Sequence, residues 1–481
     1  TLYIPTPYDE PINGVYPDPF EDEDDDVLLS NPNFHCQNVY AIVMRTLAKF
    51  EFALGRRVNW SFDGHQLKIA PHAFADANAF YSRDDRALMF GYFRSRQPGG
   101  DHKNVFSCLS HDVVVHETTH ALLDGLRRRF TTPSSPEQAG FHEGFADVVA
   151  MLSIFSIQDV VEILLSKSDE ENVQDDPNRK SRKKSAKEGV KQTATEEANP
   201  NLISVESLER DVLRKSALFG LAEEMGQELH NMRGDALRRS IGIKQLKEDE
   251  DSYLDFRKHP EFEEPHRCGE LLVAAMLNAF LEVWLKRIER LKHRSSSLKF
   301  LDRYLIAEQG KDAAEQLLTM AIRAIDYTQP TDLKFGDYLS ALLTSDTEAV
   351  PDDSRYGYRD ILRKSFASYG ITPAAKTSDG LWRKAGDDFV YDRTHFDSLL
   401  SDENEVFRFI WDNREKFKID DKAYTNVLSV RPCMRVAPDG FVIRETVAEY
   451  IQVAELKSHE LDSLDPAIGV SGHDVISVAD S

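Results

Sequence analysis

The spacing of apolar residues divides the chain into a β-rich beginning, a helical middle and a mixed end. Residues 1–110 contain many Pro, Asp and Gly residues, followed by short alternating segments such as residues 66–70 and 87–93, which predict a mostly β lobe. From about residue 111 the apolar residues follow helical spacing. The chain is therefore expected to adopt an α+β fold.

Two helices are predicted within residues 111–160. The first is indicated by apolar residues at helical positions, namely Val113, Val114, Leu122, Leu123 and Leu126. The second, about residues 137–155, follows Ser135 and Pro136, which supply a capping serine and a first-turn proline.

Residues 161–203 are expected to form a mobile insertion, because the stretch from about residue 166 to 200 has too few apolar side chains to order itself. Helical spacing resumes after it in three segments, at residues 202–230, 270–292 and 313–327. We therefore predict a helical lobe over residues 204–374.

The last segment, residues 375–481, has a different pattern. Two apolar strand-like stretches, residues 427–436 and 441–453, flank a Pro-Asp-Gly turn at residues 438–440. This arrangement is typical of a β-hairpin. We predict an α+β appendage at this end of the chain.

Composition narrows the set of partners. The net charge of −23, from 82 acidic and 59 basic residues, repels phosphate backbones and anionic lipid surfaces, so neither nucleic acid nor a membrane is expected as a partner. Apolar runs such as residues 271–281 are too short to cross a bilayer, and no signal sequence opens the chain, although a leader before Thr1 could have been removed. The four cysteines lack CxxC spacing, which predicts reduced thiols rather than disulfides or a thiolate zinc site.

The most specific motif is His116-Glu117-Thr118-Thr119-His120, an HExxH sequence inside an apolar stretch. Because residues four apart lie on one face of a helix, His116 and His120 can converge on one metal ion. Glu117, one step round the helix, can reach a water at that ion. The alternative is a pair of surface histidines on a polar helix face.

A catalytic zinc ion needs three protein ligands and an open position. Glu143 on the second helix is the candidate third ligand, and Asp147 is placed to accept the remaining ring N–H of His116. The HExxHxxGxxH class of zinc site is excluded, since Leu123 and Leu126 occupy the positions that need Gly and His.

Residues 113–121 and 143–147 together resemble the thermolysin-like metallopeptidases of the gluzincin group, and the resemblance extends over about residues 75–285. It implies two lobes with the zinc helices between them, one zinc ion, and hydrolysis of peptide bonds with Glu117 as general base.

Other segments resemble substrate-binding parts of that family. The sequence Asn78-Ala79-Phe80 is similar to its edge strand, which implies that Asn78 and Ala79 bind the substrate backbone. Residues 234–238 are similar to the segment whose arginine holds the substrate carbonyl, which implies that role for Arg238, with Arg239 as the near alternative.

Residues 264–270 are similar to the stretch that carries the transition-state histidine, most of all in the fungalysin branch. The resemblance implies this role for His266, with His259 as the fallback. The alternative interpretation of His266 is a helix-capping or core histidine.

The chain departs from the family pattern at two places. The family commonly has a tyrosine donor between the zinc helices, but the nearest residue here is Phe130, which has no hydroxyl. Asp112 matches a calcium-binding carboxylate whose expected partner aligns with Ile154. No structural calcium is expected, which favours a calcium-poor compartment such as the cytoplasm over secretion.

The sequence therefore predicts a zinc endopeptidase acting on peptides or proteins, with Glu117, His266 and Arg238 as its catalytic residues. One alternative is a zinc-containing binding or regulatory module of the same fold with little or no activity, which the loss of the tyrosine favours. A gluzincin aminopeptidase is a weaker alternative, because no Gly-x-Met-Glu-Asn segment precedes His116.

Overall fold

The computed structural model describes residues 18–64, 66–94, 104–131, 133–163, 165–166, 201–210, 212–213, 247–249, 252–253, 256–294, 299–382, 389–437 and 439–453. Arg238 and Arg239 lie outside these residues, as does most of the predicted insertion at 161–203.

Helices and small sheets together make an α+β fold. The helices are α1 (Asp25–Leu28), α2 (Pro32–Leu54), α3 (His111–Leu126), α4 (Pro136–Phe155), α5 (Pro265–Arg294), α6 (Arg303–Ala324), α7 (Phe335–Ala349), α8 (Tyr358–Ala367), α9 (Phe396–Leu399), α10 (Glu403–Asp412) and α11 (Arg414–Phe417). The strands are β1 (Lys68–Phe74), β2 (Ala79–Ser82), β3 (Ala87–Arg94), β4 (Asn104–Phe106), β5 (Leu202–Ser204), β6 (Lys247–Asp249), β7 (Ser252–Tyr253), β8 (Phe300–Asp302), β9 (Tyr424–Val436) and β10 (Val442–Val453).

The first hundred residues differ from the predicted loop-rich and strand-like lobe, because α2 runs for 23 residues before the sheet. The Asn31 side chain caps this helix by accepting from the N–H of Asn33, Pro32 occupies its first turn, and Gly55 ends it at φ +68°. Pro32 and Gly55, whose residue types suggested loops, thus mark the beginning and the end of a helix. Its buried face includes Val39, Ile42, Val43, Phe50, Ala53 and Leu54.

The main sheet has β3 at its centre. Strand β1 pairs with β3 in parallel, and β2 pairs with it antiparallel, with Ala79 opposite Phe90 and Ser82 opposite Ala87. Among the strands that the structure describes, β2 lies at the edge of the β1-β3-β2 path. This edge faces α3, since the N–H and the hydroxyl of Tyr81 in β2 both donate to carboxylates of that helix.

The helices α3 and α4 confirm the two helices predicted from apolar spacing. Helix α4 begins where the sequence indicated, since the Ser135 hydroxyl accepts from the N–H of Gln138. Both helices are buried along most of their length, and α5 packs across α4.

Helix α5 packs against the helices α4, α6 and α8. By length and composition alone its segment Pro265–Lys292 is apolar enough to cross a membrane, but 89% of the apolar window is buried inside the fold. The apolar residues of α5 are therefore accounted for by contacts with neighbouring helices of the same chain. Each large apolar side chain buried in this way contributes about 1.5–3 kcal/mol to stability.

The helical pattern read at residues 202–230 is wrong at its beginning. Residues Leu202–Ser204 form β5, which pairs antiparallel with β8, so that Ile203 lies opposite Leu301. The short apolar run fits either a buried strand or a helix by periodicity, and the pairing with β8 decides between them.

The C-terminal hairpin predicted from the sequence is confirmed, since β9 and β10 pair antiparallel from Val436 and Val442 to Tyr424 and Val453. With α10 it forms a small core of its own around Val406, Ile410 and Val427.

The hairpin is also anchored to the main body. The Met434 N–H donates to the Gly55 carbonyl at 2.8 Å. Asp326, whose side chain is fully buried, accepts from Arg56 at 2.5 and 2.6 Å and also from Arg435 of β9. The charges in this interface are paired, as buried charges must be.

Candidate metal centre

Helix α3 holds His116, Glu117 and His120 inside the protein. Their exposed fractions are 4%, 1% and 7%. A surface face of the helix would leave such side chains in water, so the interpretation of His116 and His120 as surface histidines is wrong. Buried polar side chains such as these need hydrogen-bond or metal partners.

A shared partner for the two histidines comes from α4. One carboxylate oxygen of Glu143, Oε2, lies 3.4 Å from His116 Nε2 and 3.6 Å from His120 Nε2. Tetrahedral zinc with bonds of about 2.0–2.2 Å separates its ligand atoms by roughly 3.4 Å. The three donor atoms all lie within 4.8 Å of one another, so the residues fit a zinc ion.

The ionisation of Glu143 suits a metal ligand. Burial raises the pKa of its carboxyl, but the neighbouring imidazoles of His120 and His116 outweigh burial and hold that pKa well below its usual range. Glu143 is therefore a carboxylate, which is the form that binds cations.

Asp147 lies where the sequence predicted it. Its Oδ1 is 2.7 Å from His116 Nδ1, so it accepts the ring N–H and leaves Nε2 to face Glu143. His120 differs, since its buried Nδ1 has no hydrogen-bond partner in the part of the chain that the structure describes. The carboxylate of Asp147 thus orients only one of the two histidines.

The sequence interpretation missed His142. Its ring stacks on that of His120, with centroids 4.4 Å apart and planes 4° apart. Burial, together with His120, lowers the pKa of His142 to about 3, so this imidazole is neutral. No periodicity marks His142 in the sequence, because only the packing of α4 against α3 brings the two rings together.

Glu117 is bonded to the edge strand. Its Oε2 accepts from the N–H of Tyr81 in β2 at 3.0 Å. About two turns further along α3, buried Asp124 accepts from the Tyr81 hydroxyl at 2.9 Å and from Arg83 Nε at 2.8 Å. Strand β2 is therefore fixed along α3 at two levels.

Asn78 and Ala79 lie where β2 begins, with Asn78 exposed and Ala79 2% exposed. The carbonyl of Asn78 accepts from the N–H of Gly91 at 2.8 Å. A Cβ atom at Gly91 would lie 2.7 Å from that carbonyl oxygen and 2.1 Å from the carbonyl oxygen of Asp76, so only glycine allows this approach.

His266 is close to the same centre. Its Nε2 lies 3.7 Å from Glu143 Oε2, and its Nδ1 lies 2.7 Å from Glu264 Oε1. The side chain is 59% exposed, so the interpretation as a core histidine is wrong. Glu264, which the sequence interpretation did not single out, orients the ring.

The close packing of α4 and α5 puts His266 in this position. A Cβ atom at Gly144 would lie 2.6 Å from the carbonyl oxygen of Gly269, which is closer than side-chain atoms come to backbone. Two glycines therefore let the first turn of α5 approach Glu143. His259, the fallback, has a buried Nε2 and packs against Phe262 with ring centroids 6.3 Å apart.

Phe130 and Asp112, the two residues at which the sequence departs from the thermolysin-like pattern, both lie inside the fold. Phe130 is 1% exposed and packs edge-on against Phe141 with ring centroids 5.9 Å apart, so it offers the centre no hydrogen bond. Asp112 accepts from the Ser110 hydroxyl, and burial raises its pKa, while Ile154 is buried among apolar side chains.

Comparison of the chain with protein-family models, with curated proteins and with solved structures finds no match. The interpretation of the centre therefore depends on its own geometry.

Proposed function

We propose that this chain is a zinc-dependent endopeptidase with a thermolysin-like, two-lobed arrangement around the centre. The observation that carries the proposal is the convergence of His116, His120 and Glu143 at separations that fit zinc, with the Glu117 carboxylate buried next to them. Three protein ligands and an adjacent carboxylate that does not bind the ion are the pattern of a catalytic zinc site.

Bound by these ligands, zinc supplies Lewis-acid chemistry, polarising the scissile carbonyl and acidifying water at the site. The Glu117 carboxylate takes the proton of the attacking water and passes it to the leaving amine. The bond from the Tyr81 N–H fixes the position of one oxygen of Glu117.

The remaining residues bind and position the substrate. A peptide chain adds to β2 as a further strand, beginning at Asn78 and Ala79, which sets its register. His266, close to Glu143 but exposed to solvent, donates to the carbonyl oxygen as negative charge develops on it. Arg238 remains the proposed partner of a substrate carbonyl.

The test is Glu117→Gln. The amide keeps the shape of the side chain but cannot accept the water proton, so cleavage of a mixed-peptide substrate should fall by about 10²–10⁴-fold. Zinc content, measured on the same preparation, should not change. Glu289→Gln, an exposed change on α5, is the matched control. Full activity in Glu117→Gln would refute the mechanism.

A zinc-containing binding module of the same fold is the second candidate, and buried Phe130, in place of a tyrosine donor, is the observation that favours it. The two functions separate in the unmodified chain. Bound zinc with chelator-sensitive cleavage supports the enzyme, whereas bound zinc without cleavage of any peptide in the mixture supports the module.

A further inference from the structure

A second cluster of metal-binding side chains lies away from the proposed active site. His35 belongs to the first turn of α2, His72 to β1, and Cys108 to a short 3-10 turn, Ser107–Leu109, just before α3. The structure brings these three residues together from separate elements. The cysteine spacing alone had suggested no thiolate site.

The donor atoms of the cluster are close to one another. His35 Nδ1 lies 2.8 Å from His72 Nε2, a hydrogen-bond distance, and one ring nitrogen of each histidine and Cys108 Sγ all lie within 4.8 Å of one another. His35 and Cys108 are fully buried. Two imidazole nitrogens and a thiol gathered in a buried place are the donor set that zinc prefers in proteins.

The surroundings orient and shield the cluster. The second nitrogen of His35, Nε2, donates to the Leu29 carbonyl at 3.1 Å, so Nδ1 carries the lone pair and is hydrogen-bonded to His72 Nε2, a bond that an ion would replace. Histidine ligands of metals are usually oriented by such a bond on the other ring nitrogen. The ring of Phe106 covers both histidines, at 4.7 Å from each, and Tyr92 lies 6.3 Å from His72.

We propose that His35, His72 and Cys108 form a second metal site, which binds zinc or a chemically similar divalent ion and has a structural role. The ion takes the lone pairs of two neutral imidazoles and the sulfur of Cys108, whose proton leaves to solvent. The three protein ligands leave a fourth position on the ion, and the ring of Phe106 over both histidines shields the site from solvent.

The position of the cluster explains what the ion stabilises. The Cys108 carbonyl accepts from Asn38 of α2 at 3.3 Å, and the Ser107 hydroxyl beside it donates to Gly91 at 2.9 Å. The same hydroxyl lies 3.3 Å from the Asn78 carbonyl. An ion held by Cys108 therefore joins α2 and β1 to the turn that supports the edge strand.

The experiment uses cobalt as a spectroscopic probe of the full chain. After removal of its metal the protein is loaded with Co²⁺, and cobalt content and near-ultraviolet absorption are measured. We expect two cobalt ions per chain and a sulfur-to-cobalt charge-transfer band. The His116, His120 and Glu143 centre contains no sulfur, so that band reports on the second cluster alone.

Variants assign the band to its ligands. Cys108→Ser should lose the band and one equivalent of cobalt, whereas Cys36→Ser, which changes the neighbouring thiol, should keep both. His120→Ala should lose one equivalent but keep the band, so failure of the proposed active site is distinguished from failure of this one.

The proposal is overturned if the cobalt-loaded wild-type chain shows no sulfur band, or if the band survives in Cys108→Ser or follows Cys36 instead. If His35 and His72 form only a hydrogen-bonded pair that binds no metal, the cobalt-loaded wild-type chain will show no sulfur band. His72→Gln provides a second ligand variant if Cys108→Ser does not fold, as judged by circular dichroism, and it should also lose the band.

Discussion

Two clusters of histidines in this chain differ in how they are assembled and in what surrounds them. The cluster of α3 and α4 takes two of its side chains from one helical turn, includes the carboxylate of Glu143, which is 24% exposed, and has Glu117 beside it. The cluster of His35 and Cys108 is fully buried at these two residues and covered by aromatic rings. A partly exposed centre with a carboxylate beside its ligands suits chemistry on a substrate, whereas a buried cluster that joins separate elements suits stabilisation of the fold.

The clusters also depend on different contacts. The open cluster needs α4 and α5 to pack closely, so that Glu143 and His266 meet the histidines of α3. The closed cluster needs α2 and the sheet. The turn Ser107–Leu109 connects the two regions, since it contains Cys108 and supports Asn78. Changes between α4 and α5 should therefore affect the open cluster alone, whereas changes in the turn should affect both regions.

The largest effect is expected for Gly144→Ala, which disturbs the open cluster. The new Cβ atom would lie 2.6 Å from the Gly269 carbonyl oxygen, so α5 must move away from α4. Urea unfolding should show a free energy of unfolding lower by about 3 kcal/mol, since overpacking against backbone lies at the upper end of its usual range. The sulfur-to-cobalt band of the other cluster should be unchanged. Stability equal to that of wild type would show that the helices can separate freely.

An intermediate effect is expected for Asp147→Asn. The amide lacks the charge that holds the His116 N–H, so zinc affinity of the open cluster should fall by about 10–100-fold. Competition with a chelator measures this affinity. Asp159→Asn, an exposed substitution shortly after the end of α4, is the control. Equal affinities in the two variants would mean that Asp147 does not orient His116.

The smallest effect is expected for Ser107→Ala, which tests whether the clusters communicate. Loss of the bonds to Gly91 and Asn78 should lower the free energy of unfolding by about 1 kcal/mol. If peptide cleavage is observed, KM should rise by a small factor while kcat changes less, because the proposed role of the edge strand is to position substrate and not to transfer protons. A fall in kcat alone would contradict this role.

Features that depend on neighbouring residues were predicted well. The spacing of His116 and His120 predicted one face of one helix, and apolar periodicity predicted α3, α4 and most of α5. The hairpin followed from its turn and its alternating strands. Helix α2 carries comparable signals, with Pro32 at its first turn and Gly55 at its end, but proline and glycine are equally typical of loops.

Other features needed the whole fold. The strand at Leu202–Ser204 exists because β8 lies beside it, nearly a hundred residues along the chain. His142 stacks on His120 only because of how α4 crosses α3. His35, His72 and Cys108 are too widely separated in the chain for any local spacing to group them.

The sequence by itself determined the open cluster as far as the two histidines and their neighbouring carboxylate, because a helix fixes the distance between residues four apart. It also indicated Glu143, through its place on a following helix. Only the tertiary structure decided that Glu143 comes within 3.4 Å of His116, that His266 joins it, and that a second cluster exists at all. Those distances result from the packing of separate elements, and packing depends on side chains far apart in the chain.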